Sequence, residues 1–215
     1  MIHPHTELRF ISDAIGYGVF ATRPIPRGTV IWTLCLLDRI FTPAQAFALP
    51  RAYQEILAKY GYIDAAGDYV LCWDAGRYVN HSCEPSMLGL GAEVEIAVRD
   101  IQPGDHVTCE YGGLNLTNPM PCRCGSPHCR GQVRAEDALE QWREWDRLVA
   151  ENLPLAAGVE QPLLRYLRDP AAFGDWVAGH RPAPSQREYY SGASAAPPDS
   201  AGGLPWAIAR GTSGA

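Results

Sequence analysis

Apolar and polar positions alternate in short runs along the first half of the chain, and this pattern predicts β-strands. Residues 94–98 (VEIAV) show it most clearly, because Glu and Ala separate the apolar positions as in a half-buried strand. Further strands are expected within residues 7–32, at 69–71 and at 107–111, where Pro and Gly separate the apolar runs at hairpin spacing. The pattern therefore predicts a mainly β protein built from short strands.

A helical period interrupts these strands between residues 42 and 61. Pro43 follows Thr42 at a position suited to the start of a helix. Apolar residues recur at helical spacing over 51–60, and Gly61 is a suitable C-terminal stop. We expect a short helical insert, about residues 42–61, within the β domain.

The C-terminal part of the chain has a helical pattern followed by a tail of simple composition. Apolar residues over 135–153 predict one amphipathic helix. A further helical stretch is expected over about 161–179, interrupted by an Asp-Pro pair. Beyond it Pro, Ser, Gly and Ala dominate, a composition typical of disorder. This predicts a helical extension over 132–180 and a disordered tail over 181–215.

The acidic composition limits the possible partners. The formal net charge is −6, from 18 Lys and Arg against 24 Asp and Glu. Phosphate contacts need Lys and Arg, so this charge argues against direct binding of nucleic acid and suits basic protein partners. No apolar run reaches the ~20 residues that span a bilayer, and the first residues lack the basic-then-apolar pattern of a signal peptide. We expect no membrane partner and a cytoplasmic location, or a nuclear one in a eukaryote or after delivery to a host.

Three of the seven cysteines crowd into one short loop, at Cys122, Cys124 and Cys129. An odd number of cysteines in a reducing compartment argues against a disulfide framework, and the clustering indicates a metal site. Zinc takes four ligands in a tetrahedral array. The loop is thus one ligand short, and either His128 or a distant cysteine would complete it. Without a metal, the cluster would be three unpaired thiols exposed to oxidation.

Residues 77–85 (RYVNHSCEP) form a polar loop whose side chains suit a binding cleft. Asn80 and His81 offer well-defined donors and acceptors, and Cys83 could supply the missing thiolate. The same residues also suit a turn closed by an Asx-type hydrogen bond at Asn80, with the histidine buried in the core. In isolation the loop does not distinguish the two interpretations.

Three segments in this order resemble the SET-domain protein lysine methyltransferases. They are residues 16–21 (GYGVFA), 77–85, and 101–112 (IQPGDHVTCEYG). Residues 122–131 (CRCGSPHCRG) are similar to the post-SET segment of that family. The resemblance runs from about residue 7 to residue 131.

The resemblance implies a mainly β fold of small curved sheets with a knot-like C-terminal crossing, a short helical insert, a post-SET zinc loop and C-terminal helices. The SET domain would cover residues 1–112 and the zinc loop 113–131, followed by the helical extension and the tail. The crossing would bring the Asn80–His81 loop, Tyr111 and the zinc loop together.

The resemblance also implies a role for each residue of the site. S-adenosylmethionine would donate the methyl group, and the acceptor would be a lysine amine in a protein such as a histone or a ribosomal protein. Tyr111 would be the catalytic residue that orients this amine. The cofactor-binding set would comprise Gly16, Tyr17, Gly18, Arg77, Tyr78, Asn80, His81 and Tyr111. A structural zinc ion would be held by Cys83, Cys122, Cys124 and Cys129.

The chain departs from the family pattern at three positions near this site. Ser86 stands where the family often has Asn, and the tyrosine that many relatives place after Trp32 is missing. Cys109 stands two residues before Tyr111, where the family often has a Phe or Tyr that restricts how many methyl groups fit. The smaller Cys predicts that more than one methylation is possible. Tyrosines of the helical insert and beyond could line the lysine channel, namely Tyr53, Tyr60, Tyr62 and Tyr69.

Two other kinds of function compete with an active enzyme. A catalytically inactive SET fold could serve as a protein-binding module, but the presence of Asn80, His81 and Tyr111 favours the enzyme. A zinc-ribbon nucleic-acid binder is disfavoured by the net charge of −6.

Overall fold

Short strands in four small sheets, together with four α-helices, form the regular structure of the computed structural model, which describes residues 1–192. The strands are β1 (Thr6–Ser12), β2 (Gly16–Ala21), β3 (Val30–Thr33), β4 (Arg39–Phe41), β5 (Gly61–Ile63), β6 (Tyr69–Leu71), β7 (Asn80–His81), β8 (Met87–Gly89), β9 (Val94–Ala97), β10 (His106–Cys109), β11 (Met120–Pro121) and β12 (Gln132–Val133). The helices are α1 (Pro43–Ala48), α2 (Arg51–Tyr60), α3 (Asp137–Asn152) and α4 (Pro170–Val177). No helix in this part of the chain is both long and apolar enough to cross a membrane.

The four-stranded sheet joins segments that lie far apart in the sequence. Its strand order is β1-β2-β10-β7, so β10 lies between β2 and β7. β10 runs antiparallel to β2, with Val107 opposite Val19, and parallel to β7, with Cys109 opposite His81. The remaining sheets, β3-β9-β8, β4-β6-β5 and β11-β12, are equally small. This architecture confirms the predicted fold class.

A first hydrophobic core lies under the four-stranded sheet. Val19 and Val107 have no exposed surface and pack there with Ile101. Tyr62 and Tyr111 pack against the same core from its edge. Because β10 contributes directly to this core, burial of its apolar side chains fixes the strand that leads to Tyr111.

A second core joins the β3-β9-β8 sheet to the C-terminal helices. Trp145 and Val149 of α3 are buried there with Leu88 and Ile96 of the sheet. Truncation of a buried Trp typically costs ~3–5 kcal/mol. The helical extension is therefore an integral part of the folded domain.

Strand β9 differs from its prediction, because it is buried on both faces. Ile96 belongs to the second core, while Ala97 has no exposed surface and belongs to the first. The prediction that one face of the strand over residues 94–98 is exposed was therefore wrong. A strand between two cores must pack on both sides, and alternation of residue type does not reveal this.

The helical insert is where the sequence pattern places it. Thr42 caps α1 in a capping box with Gln45, in which each side chain accepts a hydrogen bond from the other residue's backbone N–H. α2 ends at Tyr60, directly before Gly61. The insert covers a third core, in which Tyr69 has no exposed surface.

The helical stretch predicted over residues 161–179 was wrong in its first half. Residues 161–169 contain a short 3₁₀ turn, Leu164–Tyr166, and α4 begins only at Pro170. The Asp169 side chain caps α4 by accepting a hydrogen bond from the backbone N–H of Ala172 at 2.8 Å. The Asp-Pro pair therefore begins a helix rather than interrupting one, because Pro loses no hydrogen bond at the first helical position.

The disordered tail was predicted to begin too early. Residues Gln186–Tyr189 form a 3₁₀ turn, and Gln186 is buried against α3. The hydroxyl of Ser185 and the backbone N–H of Gln186 donate to the Asp146 carboxylate at 2.6 and 2.7 Å. These contacts order a segment whose composition alone favours disorder. Residues 193–215 of the predicted tail lie outside the described residues.

Candidate active site and thiol cluster

Tyr111 lies immediately beyond the end of β10, in the 3₁₀ turn Tyr111–Gly113. Its hydroxyl donates a hydrogen bond to the carbonyl oxygen of Val79 at 2.7 Å. Its backbone N–H donates to Nδ1 of His81 at 3.2 Å, and the two rings are 5.5 Å apart. The structure therefore brings Tyr111 onto the loop around Asn80 and His81, as the sequence analysis expected.

The His81 imidazole is buried and faces the protein interior. Only 3% of the side chain is exposed. Nδ1 accepts from Tyr111, so the ring proton resides on Nε2, which lies 3.4 Å from Sγ of Cys83. Burial, with the nearby charge of Arg130, lowers the pKa of His81 to about 4. The neutral ring thus links the Tyr111 backbone to the Cys83 side chain.

Asn80 of β7 ties the start of β2, residues 16–18, to β7. Its Nδ2 donates to the carbonyl oxygen of Tyr17 at 3.0 Å and lies 3.3 Å from Nε2 of His106. A side chain at Gly18 would not fit, since a Cβ there would lie 2.6 Å from Nε2 of His106 and 2.9 Å from Nδ2 of Asn80. Gly16 has a φ of +82°, which favours glycine. The predicted cofactor-binding residues 16–18 and 80 therefore form one contiguous surface.

Aromatic rings extend this surface towards solvent. Tyr17 is 49% exposed, and its ring packs edge-on against Tyr78 at 6.0 Å between centroids. Tyr60 contacts the same Tyr78 ring at 5.2 Å. Arg77 donates to the carbonyl oxygens of Trp73 and Asp74, so it holds the turn that presents Tyr78. These rings provide an apolar wall beside Asn80.

Four thiols gather near the His81 ring, whose Nε2 lies 3.4 Å from Sγ of Cys83. The sulfur atoms of Cys83, Cys122, Cys124 and Cys129 all lie within 4.8 Å of one another, and those of Cys83 and Cys122 are 3.8 Å apart. A tetrahedral zinc site with Zn–S bonds of about 2.3 Å needs S–S separations of about 3.8 Å. The cluster fits the geometry and donor type of a four-thiolate zinc site.

His128, the alternative fourth ligand, is directed away from the thiols. Its side chain is 80% exposed, and Nδ1 lies 2.9 Å from Oε1 of Glu84. Cys83 instead approaches the loop from β7, and its backbone N–H donates to Sγ of Cys124 at 3.5 Å. The geometry therefore favours Cys83 over His128.

The comparisons with known proteins agree with this arrangement. Residues 16–112, which contain the glycine turn, the Asn80–His81 loop and Tyr111, match the family model described as "SET domain". The chain contains a SET domain. The matched region ends before the thiol loop at residues 122–129.

Three curated relatives resemble the chain beyond this domain. It is 32% identical over 147 residues to the Histone-lysine N-methyltransferase ash1 of Drosophila melanogaster, a match covering 58% of this chain and 6% of that protein. It is 39% identical over 138 residues to the Histone-lysine N-methyltransferase TRX1 of Oryza sativa subsp. japonica, covering 59% and 13%. It is 28% identical over 150 residues to the Histone-lysine N-methyltransferase, H3 lysine-9 specific, of Schizosaccharomyces pombe, covering 54% and 30%. The chain thus spans less than a third of each of these relatives.

Ser86 replaces the asparagine common in SET domains and makes its own hydrogen bonds. It has no exposed surface. Its hydroxyl donates to the carbonyl oxygen of Thr108 at 3.2 Å and accepts from the backbone N–H of Thr108 at 2.9 Å. This pairing supports β10 at the place where the sequence departs from the family pattern.

The tyrosines proposed to line the lysine channel lie in different environments in the structure. Tyr69 is fully buried in the core of the insert, and Tyr53 is 60% exposed on α2. Tyr62 packs against the core that also holds Cys109 and Tyr111, and burial raises its pKa well above the usual value. Of the four, Tyr62 is the one that packs against the same core as Tyr111, whereas Tyr69 belongs to the core of the insert.

A buried carboxylate near Cys109 was not predicted from the sequence. Oε2 of Glu95 is fully buried and has no hydrogen-bond partner among the described residues. Burial raises the pKa of Glu95 to about 7. The Cys109 thiol is itself buried, and its pKa is raised by burial and by the Glu95 charge. A carboxyl group with a raised pKa therefore lies close enough to Cys109 to influence its thiol.

Glu110 and Arg130 form a second pair that the sequence analysis missed. Nη2 of Arg130 lies 2.6 Å from Oε1 of Glu110, and only 3% of the Glu110 side chain is exposed. The available signal was an acidic residue directly before Tyr111 and a basic residue directly after Cys129. Neither is informative until the fold shows that the two residues meet.

Proposed function

We propose that this chain is a protein-lysine N-methyltransferase that uses S-adenosylmethionine and acts on a histone or another basic protein. The observation that carries this proposal is the hydrogen bond from the Tyr111 hydroxyl to Val79, beside Asn80 and within a SET domain. The curated names of its relatives, all histone-lysine N-methyltransferases, support the same activity. The net charge of −6 suits a basic substrate.

Tyr111 would orient the acceptor amine. Because its hydroxyl proton is donated to Val79, the phenolic oxygen directs lone-pair density to its other side, where it can accept a hydrogen bond from an amine N–H. When bound, S-adenosylmethionine would supply an electrophilic methyl group on a sulfonium. Alignment of the amine with that methyl group can supply several kcal/mol of the barrier.

The acceptor must be neutral, although a free lysine has a pKa of about 10.4. A dry site disfavours the ammonium form and so lowers this pKa. The buried surroundings of Cys109 and Tyr62 beside Tyr111 offer such a site. The residues that would hold the cofactor are Gly16, Tyr17, Gly18, Arg77, Tyr78, the Asn80 amide and the backbone of His81.

Zinc would have a structural role at Cys83, Cys122, Cys124 and Cys129. Four thiolates complete its preferred coordination and leave no position for substrate. The ion would brace the loop that borders the site without taking part in the reaction.

Labelled S-adenosylmethionine, incubated with the chain and a mixture of histones and ribosomal proteins, tests the proposed activity. We expect label on lysine side chains, located by peptide mass spectrometry. The alternative, an inactive SET fold that binds proteins, predicts substrate capture without label. Absence of label from every lysine, with the donor bound, would support that alternative.

Replacing Cys109 by phenylalanine tests how many methyl groups the site accepts. The added ring would occupy space beside Tyr111, so we expect wild type to form di- or trimethyllysine and Cys109→Phe to stop at monomethyllysine. Mass spectrometry of the product at saturating donor distinguishes the two. Cys72→Phe is unsuitable as a control, because Cys72 is buried in the same core; Cys109→Ser keeps the size and should retain the wild-type product. Monomethyl product alone from wild type would contradict the prediction.

A further inference from the structure

Arg130 links the thiol cluster to the turn that holds Tyr111. It follows Cys129 in the sequence, and its backbone N–H donates to Sγ of Cys83 at 3.4 Å. Its side chain reaches in the opposite direction and donates to Oε1 of Glu110 at 2.6 Å. One residue therefore contacts both a thiol of the cluster and the neighbour of Tyr111.

Glu110 in turn holds both ends of the Tyr111 peptide. Oε1, the atom bound by Arg130, also accepts a hydrogen bond from the backbone N–H of Gly112 at 2.8 Å. Tyr111 lies between the two residues so joined. The turn is packed tightly, because a Cβ at Gly112 would lie 2.9 Å from Cβ of Asp137 on α3. A shift of the Glu110 carboxylate would therefore move the backbone that carries Tyr111.

A second link runs in parallel through His81. Its Nδ1 accepts from the backbone N–H of Tyr111, and its Nε2 lies 3.4 Å from Sγ of Cys83. The Tyr111 turn is thus connected to Cys83 by two routes, one through a neutral imidazole and one through a charged pair. The charged route can be removed by substitution without changing a thiol or a residue that contacts the Tyr111 hydroxyl.

We propose that Glu110 and Arg130 are positioning residues that couple the state of the thiol cluster to the placement of Tyr111. The consequence for catalysis rests on the proposed function, but the coupling itself does not. Glu110 is almost fully buried, so removal of Arg130 would leave its carboxylate without a cation in a medium of low dielectric constant. Burial raises the pKa of the Glu110 carboxyl group, and Arg130 opposes this rise. Removal of Arg130 therefore raises the pKa further. The carboxylate then becomes protonated or draws in water, and in either case binds Gly112 less well.

Arg130→Met and Glu110→Gln test the effect on catalysis. Both keep the approximate side-chain size and all four thiols. We expect each to lower kcat by about tenfold, because the hydroxyl of Tyr111 is misplaced, while KM for the donor changes less than about twofold. Arg130→Lys, which keeps the charge, should recover part of kcat. Arg168→Met is the matched control, because it removes an exposed ion pair with Glu93 at 2.9 Å elsewhere in the fold and should keep wild-type kcat.

Hydrogen exchange tests the coupling without any enzymatic activity. In the zinc-loaded wild type, the amides of residues 111–113 should be protected, and a chelator should speed their exchange by about tenfold or more. In Arg130→Met with zinc bound, the same amides should already exchange fast, and the chelator should add little. Amides of α4, whose Phe173 packs in the second core, provide the internal reference.

The outcomes separate this proposal from the proposed function. If wild type transfers no methyl group but the exchange pattern holds, the coupling stands and the function fails. If zinc-loaded Arg130→Met and Glu110→Gln match Arg168→Met in kcat and exchange, the coupling is absent. Loss of zinc from both variants would also overturn the proposal, because the pair would then serve only to hold the thiol loop.

Discussion

We expect the replacement of Tyr111 by phenylalanine to lower kcat for methyl transfer to lysine by about 100-fold, while affinity for the methyl donor changes little. The Tyr111 hydroxyl is held in one orientation by its hydrogen bond to the Val79 carbonyl oxygen at 2.7 Å. Phenylalanine keeps the ring and its contact with His81 but removes the oxygen that would accept from the amine. The substitution does not affect the Asn80–Tyr17 hydrogen bond, so the surface proposed to bind the methyl donor should persist. Steady-state kinetics with labelled donor and a lysine peptide measure the change.

The fold should tolerate this substitution. The lost hydrogen bond is neutral and contributes about 1 kcal/mol of stability. Tyr166→Phe is a suitable control, because Tyr166 lies in the 3₁₀ turn before α4, outside the site. Equal kcat in wild type, Tyr111→Phe and Tyr166→Phe would remove Tyr111 from its role, and the proposed mechanism would fail with it.

We expect the replacement of Cys83 by serine to abolish stoichiometric zinc binding and to destabilise the region around the thiol loop. Four thiolates match tetrahedral zinc, whereas three thiolates and a hydroxyl do not hold it as tightly. Binding of structural zinc contributes apparent free energies on the order of 10 kcal/mol in small zinc domains, so loss of one ligand should cost several kcal/mol of this. Metal analysis of the purified protein and its thermal unfolding, with and without a chelator, measure both effects.

His128→Ala is the variant to compare with Cys83→Ser. His128 is 80% exposed and pairs with Glu84, so its removal should leave one zinc per chain and nearly unchanged stability. The His128–Glu84 contact lies at the surface, where water and salt weaken such interactions. Retention of zinc in Cys83→Ser together with its loss in His128→Ala would transfer the fourth ligand to His128 and overturn the assignment.

Local features of the fold followed well from local sequence. The capping box of Thr42 and Gln45, and the end of α2 before Gly61, depend on residues within one turn of each other. The Asp-Pro pair at 169–170 was predicted to interrupt a helix, but it begins one. The same residue types occur at helix starts and at helix breaks, so the sequence did not distinguish the two. The ordered segment around Gln186 was missed, since its contacts are to Asp146 on a distant helix.

The sequence by itself determined which chemistry is available: a glycine turn, an Asn-His loop, a tyrosine after a strand, and thiols in one loop, all in the order of a SET domain. It did so because these are properties of residue type and spacing. Only the tertiary structure decided which of these groups meet. Strand pairing placed Cys109 opposite His81, and the assembled fold brought Cys83 to the thiol loop and His128 to Glu84.

The buried charges depend on the tertiary structure in the same way. Glu95 and Glu110 are ordinary acidic residues in the sequence, and their burial is a property of the cores and helices that close over them. Burial weakens solvation and strengthens the pairing of charges, so the Glu110–Arg130 contact and the raised pKa of Glu95 exist only in the assembled fold.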